Sequence, residues 1–139
     1  MEDFLAHHNT GVLTTGSGHS LRATPIEYVF VGQKLYFFSE GGEKFIHLYR
    51  NPRAAFAVFD AFTDTAHLGG LQIEGSIRLM QSRDPAYQAA AAAKGISEKR
   101  LAAMAVVLHG IELTPQRMTF VWSGFARRKQ AFAPDWCIL

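Results

Sequence analysis

Polar and apolar residues alternate most clearly at Leu71, Ile73, Gly75, Ile77 and Leu79, which interleave with Gln72, Glu74, Ser76, Arg78 and Met80. A period of two predicts a long strand with one face in a core, and Gly75 in its middle marks a bend or a close backbone approach. Ala54 to Phe59 is apolar at every position and predicts a central strand covered on both faces. Gly11 to Thr15 predicts a first strand, ended by Gly16-Ser17-Gly18. Residues 116–123 predict a last one, with Met118, Phe120 and Trp122 on one side. Arg22 to Val31 and Lys34 to Ser39 also have strand composition, joined by Gly32-Gln33, a two-residue linker suited to a type II′ hairpin over 22–39. On that hairpin Ile26, Tyr28 and Phe30 share one face, and Glu27, Val29 and Val31 the other. Residues 2–8 read as a short helix with Phe4 and Leu5 inward, and 44–50 as another, stopped by Asn51-Pro52. Asp84-Pro85 supplies a cap and a first-turn proline for a helix running to Gly95. Ser97 caps a further helix through about Leu108, ended by Gly110. No repeat or linker interrupts residues 1–139. The pattern predicts one mainly β domain, a small closed antiparallel sheet with helices over its ends.

The 139 residues, 48% of them hydrophobic, are enough for one domain with its own core. A net charge of +2 gives no argument for nucleic acid, and the basic run Arg127-Arg128-Lys129 reads as solvated surface. One cysteine, Cys137, excludes an internal disulfide. Neither a secretory leader nor an apolar run of membrane-spanning length is visible, so the expectation is a cytoplasmic protein without membrane contact. Six histidines invite a metal reading. His7 and His8 point about 100° apart on a helix, and His19, His47, His67 and His109 lack ligand spacing, so no metal is expected. His109 reads as a residue at a helix C-terminus.

The candidate chemistry lies at Ser39-Glu40-Gly41-Gly42-Glu43-Lys44, a glycine turn between a strand and a helix N-terminus. Such a turn offers unpaired N–H groups and the positive end of the helix dipole to an anion. Ser39 adds a hydroxyl and Lys44 a charge. Centring the 22–39 hairpin on Gly32-Gln33 sets Ile26 opposite Ser39 and Arg22 level with Glu43. Arg22, Ser39 and Lys44 would then converge on one anion.

Taken in order, Thr10 to Thr14, Arg22-Ala-Thr-Pro-Ile-Glu27, Leu35 to Ser39, Lys44, Asn51-Pro52 and Ile73-Glu-Gly75 resemble the pyridoxamine 5′-phosphate oxidase-like FMN-binding split barrels. The resemblance runs from about Phe4 to Leu79, with a weaker tail at 111–128. It implies a mainly β, Greek-key-like antiparallel split barrel of about six strands with short flanking helices. It also implies a homodimer with FMN at the subunit interface. By this resemblance Arg22, Ser39 and Lys44 hold the flavin phosphate. The backbone of Ala23, Thr24, Pro25, Ile26 and Glu27 would run along the isoalloxazine, with Phe37 or Phe38 near the ring. Trp122, Arg127 and Arg128 are loose counterparts of the family's C-terminal flavin contacts. Three departures stand out: Glu27 replaces a lysine of the true oxidase, Glu43-Lys44 replaces an Arg-Lys pair, and Gly70 falls where a flavin-binding glutamine belongs. The implied function is an FMN-dependent oxidoreductase acting on a small organic molecule, with NAD(P)H as a candidate donor and no catalytic acid or base assigned. The alternative is a non-catalytic or cofactor-free dimeric split barrel; true pyridoxamine 5′-phosphate oxidase, deazaflavin F420 and haem relatives fit the residues less well.

Overall fold

The computed structural model describes residues 1–123 and contains seven strands there, against the six or so expected, together with four short helices. Strands β1 (Thr10–Ser17) and β2 (Ser20–Glu27) form a hairpin around Gly18-His19. Gly16-Ser17-Gly18 is therefore not a flexible strand end: Ser17 pairs with Ser20, and Gly18 takes the turn at φ 59°. Strands β3 (Val29–Val31) and β4 (Lys34–Ser39) form a second hairpin. Its register is the one centred on Gly32-Gln33, but both turn residues have positive φ, 57° and 63°, which makes the turn type I′ rather than II′.

The expected 22–39 hairpin is thus two different pairings. Residues 20–27 pair with β1, so Ile26 faces Gly11 and not Ser39, and Arg22 faces Thr15. The chain changes partners at Tyr28, a buried residue between β2 and β3. Its N–H donates to the Asn9 carbonyl at 2.9 Å, and its hydroxyl donates to the Leu5 carbonyl of helix α1 (Glu2–His7) at 2.7 Å.

With β5 (Arg53–Phe59), β6 (Gly69–Met80) and β7 (His109–Trp122), the sheet order is β2-β1-β5-β6-β7-β4-β3, antiparallel throughout. The two edge strands are consecutive in the chain, so the sheet curls until β2 approaches β4 without pairing to it. That is a split barrel. Leu13, Phe37, Phe56, Val58, Ile111 and Leu113 fill its inside, with Phe37 and Tyr28 packed edge-on to the Phe56 ring at 4.8 and 5.3 Å. Leu71 and Ile73 belong to this core and are fully buried, the inward face that the alternation predicts. The outer face of the same strands instead carries Phe59, Gly70 and Val121 side by side. Phe59 is 60% exposed, so the 54–59 segment is central but not covered on both faces.

Gly75 lies at a β-bulge against β7, where a Cβ would stand 2.1 Å from the Thr114 carbonyl oxygen. Helix α3 (Pro85–Ala93) starts as read, with the Asp84 side chain accepting from the Ala86 N–H. Helix α4 (Glu98–Ala103), capped by Ser97, stops five residues short of the expected Leu108. His109 pairs with β4 and residues 110–113 with both β4 and β6, and that ladder outweighs any tendency to continue the helix. His109 and Gly110 are accordingly strand residues, and the last strand begins well before 116. Among the described residues no helix is long and apolar enough to cross a membrane.

Candidate functional site

Helix α2 (Glu43–Arg50) decides where the site forms. It packs over the row of the β1–β2 hairpin in which Thr15 faces Arg22. Thr15 Oγ1 and His47 Nδ1, both buried, meet at 3.2 Å, and Arg22 Nη1 donates to Glu43 Oε2 at 2.7 Å. Arg22 therefore does arrive beside Glu43, carried there by α2 lying across the hairpin rather than by pairing with β4.

The turn before α2 needs its glycines, since Gly41 and Gly42 sit at φ 139° and 107°. Ser39 Oγ donates to the Gly41 carbonyl at 3.3 Å and accepts from the Gly41 N–H at 3.5 Å. Lys44 Nζ donates to the same carbonyl at 2.5 Å. Lys44 is only 7% exposed, and no carboxylate faces its ammonium among the described residues. Burial, and then the nearby Arg22 charge, hold its pKa below the usual lysine value. A buried cation with a carbonyl partner and a second cation nearby is a site short of one anion. Arg22, Ser39 and Lys44 are thus brought to one loop.

The stretch leading away from Arg22 is an edge strand, so its outward N–H and C=O groups have no ladder partners. Ala23 and Pro25 are exposed, while Ile26 packs against the core. Thr24 faces the same side as Arg22 and Ile26, and its Oγ1 is buried without a hydrogen-bond partner among the described residues. A buried hydroxyl left without a partner is costly. Glu27 is committed elsewhere: Lys94, just past α3, donates to its carboxylate at 2.6 Å and lowers its pKa. It is ionised near neutral pH and has no proton to give. Nothing local in the sequence points to Lys94, which reaches Glu27 only through tertiary packing.

Phe37 is core and Phe38 is half-buried, edge-on to Tyr87 at 5.0 Å. Trp122 ends β7, whereas Ser39 pairs with its first residue, His109. The two are separated by roughly 40 Å of strand path, so one protomer does not bring Trp122 to the phosphate loop. Gly70 lies in β6 between Phe59 and Val121. Arg127, Arg128, Lys129 and Cys137 lie outside the described residues. A cleft of about 430 Å³ opens at the other end of β4, between Leu5, Phe30 and Met118. Its one lysine, Lys34, is spent on buried Glu112, so it holds no comparable anion site.

The family profile described as Pyridoxamine 5′-phosphate oxidase matches residues 1–122. No curated protein matches the sequence at a significant level. Among solved structures, a conserved hypothetical protein from Mycobacterium tuberculosis superposes with a TM-score of 0.71 at 17% identity, covering 94% of this chain and 86% of the other. HutZ, the haem storage protein from Vibrio cholerae, gives 0.70 at 12% identity, over 87% and 90%. An FAD-binding protein from Mycobacterium smegmatis gives 0.66 at 20%, over 86% and 89%. At these identities the three share the split-barrel fold.

Proposed function

This chain belongs to the pyridoxamine 5′-phosphate oxidase family, and from that membership we propose that it is a flavoprotein whose loop between β4 and α2 holds the phosphate of FMN. The observation that carries the reading is the Lys44 ammonium, buried and without a counter-ion among the described residues. Arg22 and the Ser39 hydroxyl complete the cradle, and the α2 N-terminus adds its dipole. The isoalloxazine lies along the free edge of β2, where the backbone from Ala23 to Glu27 meets its polar rim. The unpartnered Thr24 hydroxyl supports that placement. A bound flavin would supply hydride-transfer chemistry, with the protein orienting the ring and tuning its potential.

On this reading the protein is an FMN-dependent oxidoreductase acting on a small organic molecule. No side chain is assigned as acid or base, because the one carboxylate on the flavin strand, Glu27, is ion-paired with Lys94. The same pair leaves no surplus cation for a phosphorylated substrate at that end of β2, which speaks against vitamin B6 oxidation. The protein acts as a homodimer joined through the outer row Phe59, Gly70 and Val121, a flat and largely apolar face. Trp122 would approach a flavin only from the partner subunit.

Titration with FMN, followed by quenching of flavin fluorescence, tests the phosphate assignment. Replacing both Arg22 and Lys44 by Ala should weaken binding at least about a hundredfold, given about 1.5–3 kcal/mol for each hydrogen bond to a charged group. Unchanged affinity overturns the assignment. FMN-dependent oxidation of NAD(P)H tests the enzymatic part. A second reading, flavin binding without turnover, draws on the Glu27 carboxylate being tied to Lys94, which leaves no free acid or base on the flavin strand. Saturable FMN binding with no electron transfer from any nicotinamide donor would favour it.

A further inference from the structure

Glu43 occupies the spot that an incoming phosphate has to share. It is the first residue of α2, directly before Lys44, and its Oε2 accepts from Arg22 Nη1 at 2.7 Å. As an acid in the first turn it also complements the helix dipole. The ion pair itself is weak, because its side chains are 46% and 69% exposed and solvent screens them. Weakness is the useful property here. An anion can draw the Arg22 guanidinium away at little expense, but the carboxylate stays on the helix beside it.

Two cations and one carboxylate leave the cradle with one net positive charge. A terminal phosphomonoester such as that of FMN carries close to two negative charges above neutral pH. FAD also carries two charges, but they are spread over a pyrophosphate: one on the riboflavin-side phosphate and the second on the next phosphate, farther from the cradle. Resting on the flavin reading, we propose that Glu43 is a specificity-determining residue that penalises a terminal phosphomonoester, with both charges on one phosphorus, more than a pyrophosphate whose second charge lies farther off. The interaction of one fixed charge with a bound ion is linear in the ion's charge. Glu43 therefore weakens FMN more than FAD, whose second charge lies farther away, and it leaves uncharged riboflavin alone. The preference for FMN that Arg22 and Lys44 alone would create is narrowed.

The test compares mutant with wild type for each ligand separately, so that adenosine contacts cancel. Riboflavin, FAD and FMN are titrated into wild type, Glu43→Gln and Glu43→Lys at pH 8 and low salt, with circular dichroism melts checking the fold. For Glu43→Gln we expect no change with riboflavin, about a fifteenfold gain with FMN and a smaller gain, above about fourfold, with FAD, from one charge removed a few ångströms away. Glu43→Lys should extend each ligand's trend in the same ratio, and added salt should compress all of them. Equal gains for the three flavins, or no gain with FMN, overturn the role of Glu43 while leaving the flavin site standing. Failure of wild type and both variants to bind any flavin overturns the site and this proposal together.

Discussion

Lys44→Met should raise the stability of the flavin-free protein while removing the phosphate site. The methionine keeps the packing of the lysine stem and deletes a charge that is almost wholly out of water. The sign follows from the pKa. Desolvation first, and Arg22 second, hold Lys44 below its usual value of 10.5, so the fold disfavours the protonated form. At neutral pH the group is protonated in the folded and unfolded states alike, and the folded state alone bears the penalty. Against this gain stands the lost hydrogen bond from Nζ to the Gly41 carbonyl, of the charged kind worth about 1.5–3 kcal/mol. Uncompensated burial of a charge is worth several kcal/mol after relaxation, which leaves a net gain of about 1 kcal/mol. For a domain of this size that is a rise of about 3–5 °C in Tm. The difference should fade as pH rises through the lowered folded value and be gone above about pH 10.5, where lysine loses its proton even unfolded. Thermal melts with and without millimolar inorganic phosphate read both halves at once: phosphate should raise the Tm of the wild type and leave the variant unmoved. A less stable Lys44→Met protein without ligand would refute the reasoning, because the ammonium would then be a structural clamp on the Gly41 turn.

Gly75→Val should destabilise by about 3 kcal/mol or more, since its Cβ would stand 2.1 Å from a backbone oxygen that cannot rotate away; a wild-type melting curve would contradict the bulge. Glu112 is buried, and its carboxyl is held below 4.5 chiefly by the Arg78 guanidinium, against desolvation and with help from Lys34. A depressed carboxylate stabilises above its unfolded pKa and loses that contribution as pH falls through the folded one. Glu112→Gln should therefore cost about 3 kcal/mol at pH 7 and flatten the acid limb of stability below about pH 4.5 in denaturant titrations. Phe59→Arg should shift sedimentation toward monomer at micromolar concentration without lowering the monomer's own melting point, because Phe59 faces outward; an unchanged sedimentation profile would move the dimer contact elsewhere.

Local chemistry is legible wherever one residue type has one use. Asp84 and Ser97 cap the helices that their positions predict, Gly75 marks a close approach, and Gly32-Gln33 fixes the register from Val29 to Tyr36. The hidden features depend on partners far along the chain. Nothing within Arg22 to Val31 says that its first half pairs with β1 and its second half with β4. The composition is strand-like throughout, and the switch at Tyr28 comes from tertiary contacts to Leu5 and Asn9. A single 22–39 hairpin would bring Arg22 to the glycine loop through a pairing that does not exist. The convergence occurs because α2 covers the Thr15–Arg22 row. Residues 104–108 continue from a helix without a break in hydrophobicity, and only the neighbours in β4 and β6 draw His109 to Leu113 into the sheet. The alternation at Leu71 and Ile73 is plain, but which of its two faces looks outward is set by curvature.

At Tyr28 a single residue joins the two edge strands of the sheet. A ribbon whose two margins are successive residues cannot part along its seam without twisting the peptide planes between them. The phenol at that point grips the turn around Leu5, so prying the seam open would also dislodge the amino-terminal helix. Any molecule wedged beside the outer margin is therefore felt at the chain's beginning, far along the sequence from the lysine that would anchor it.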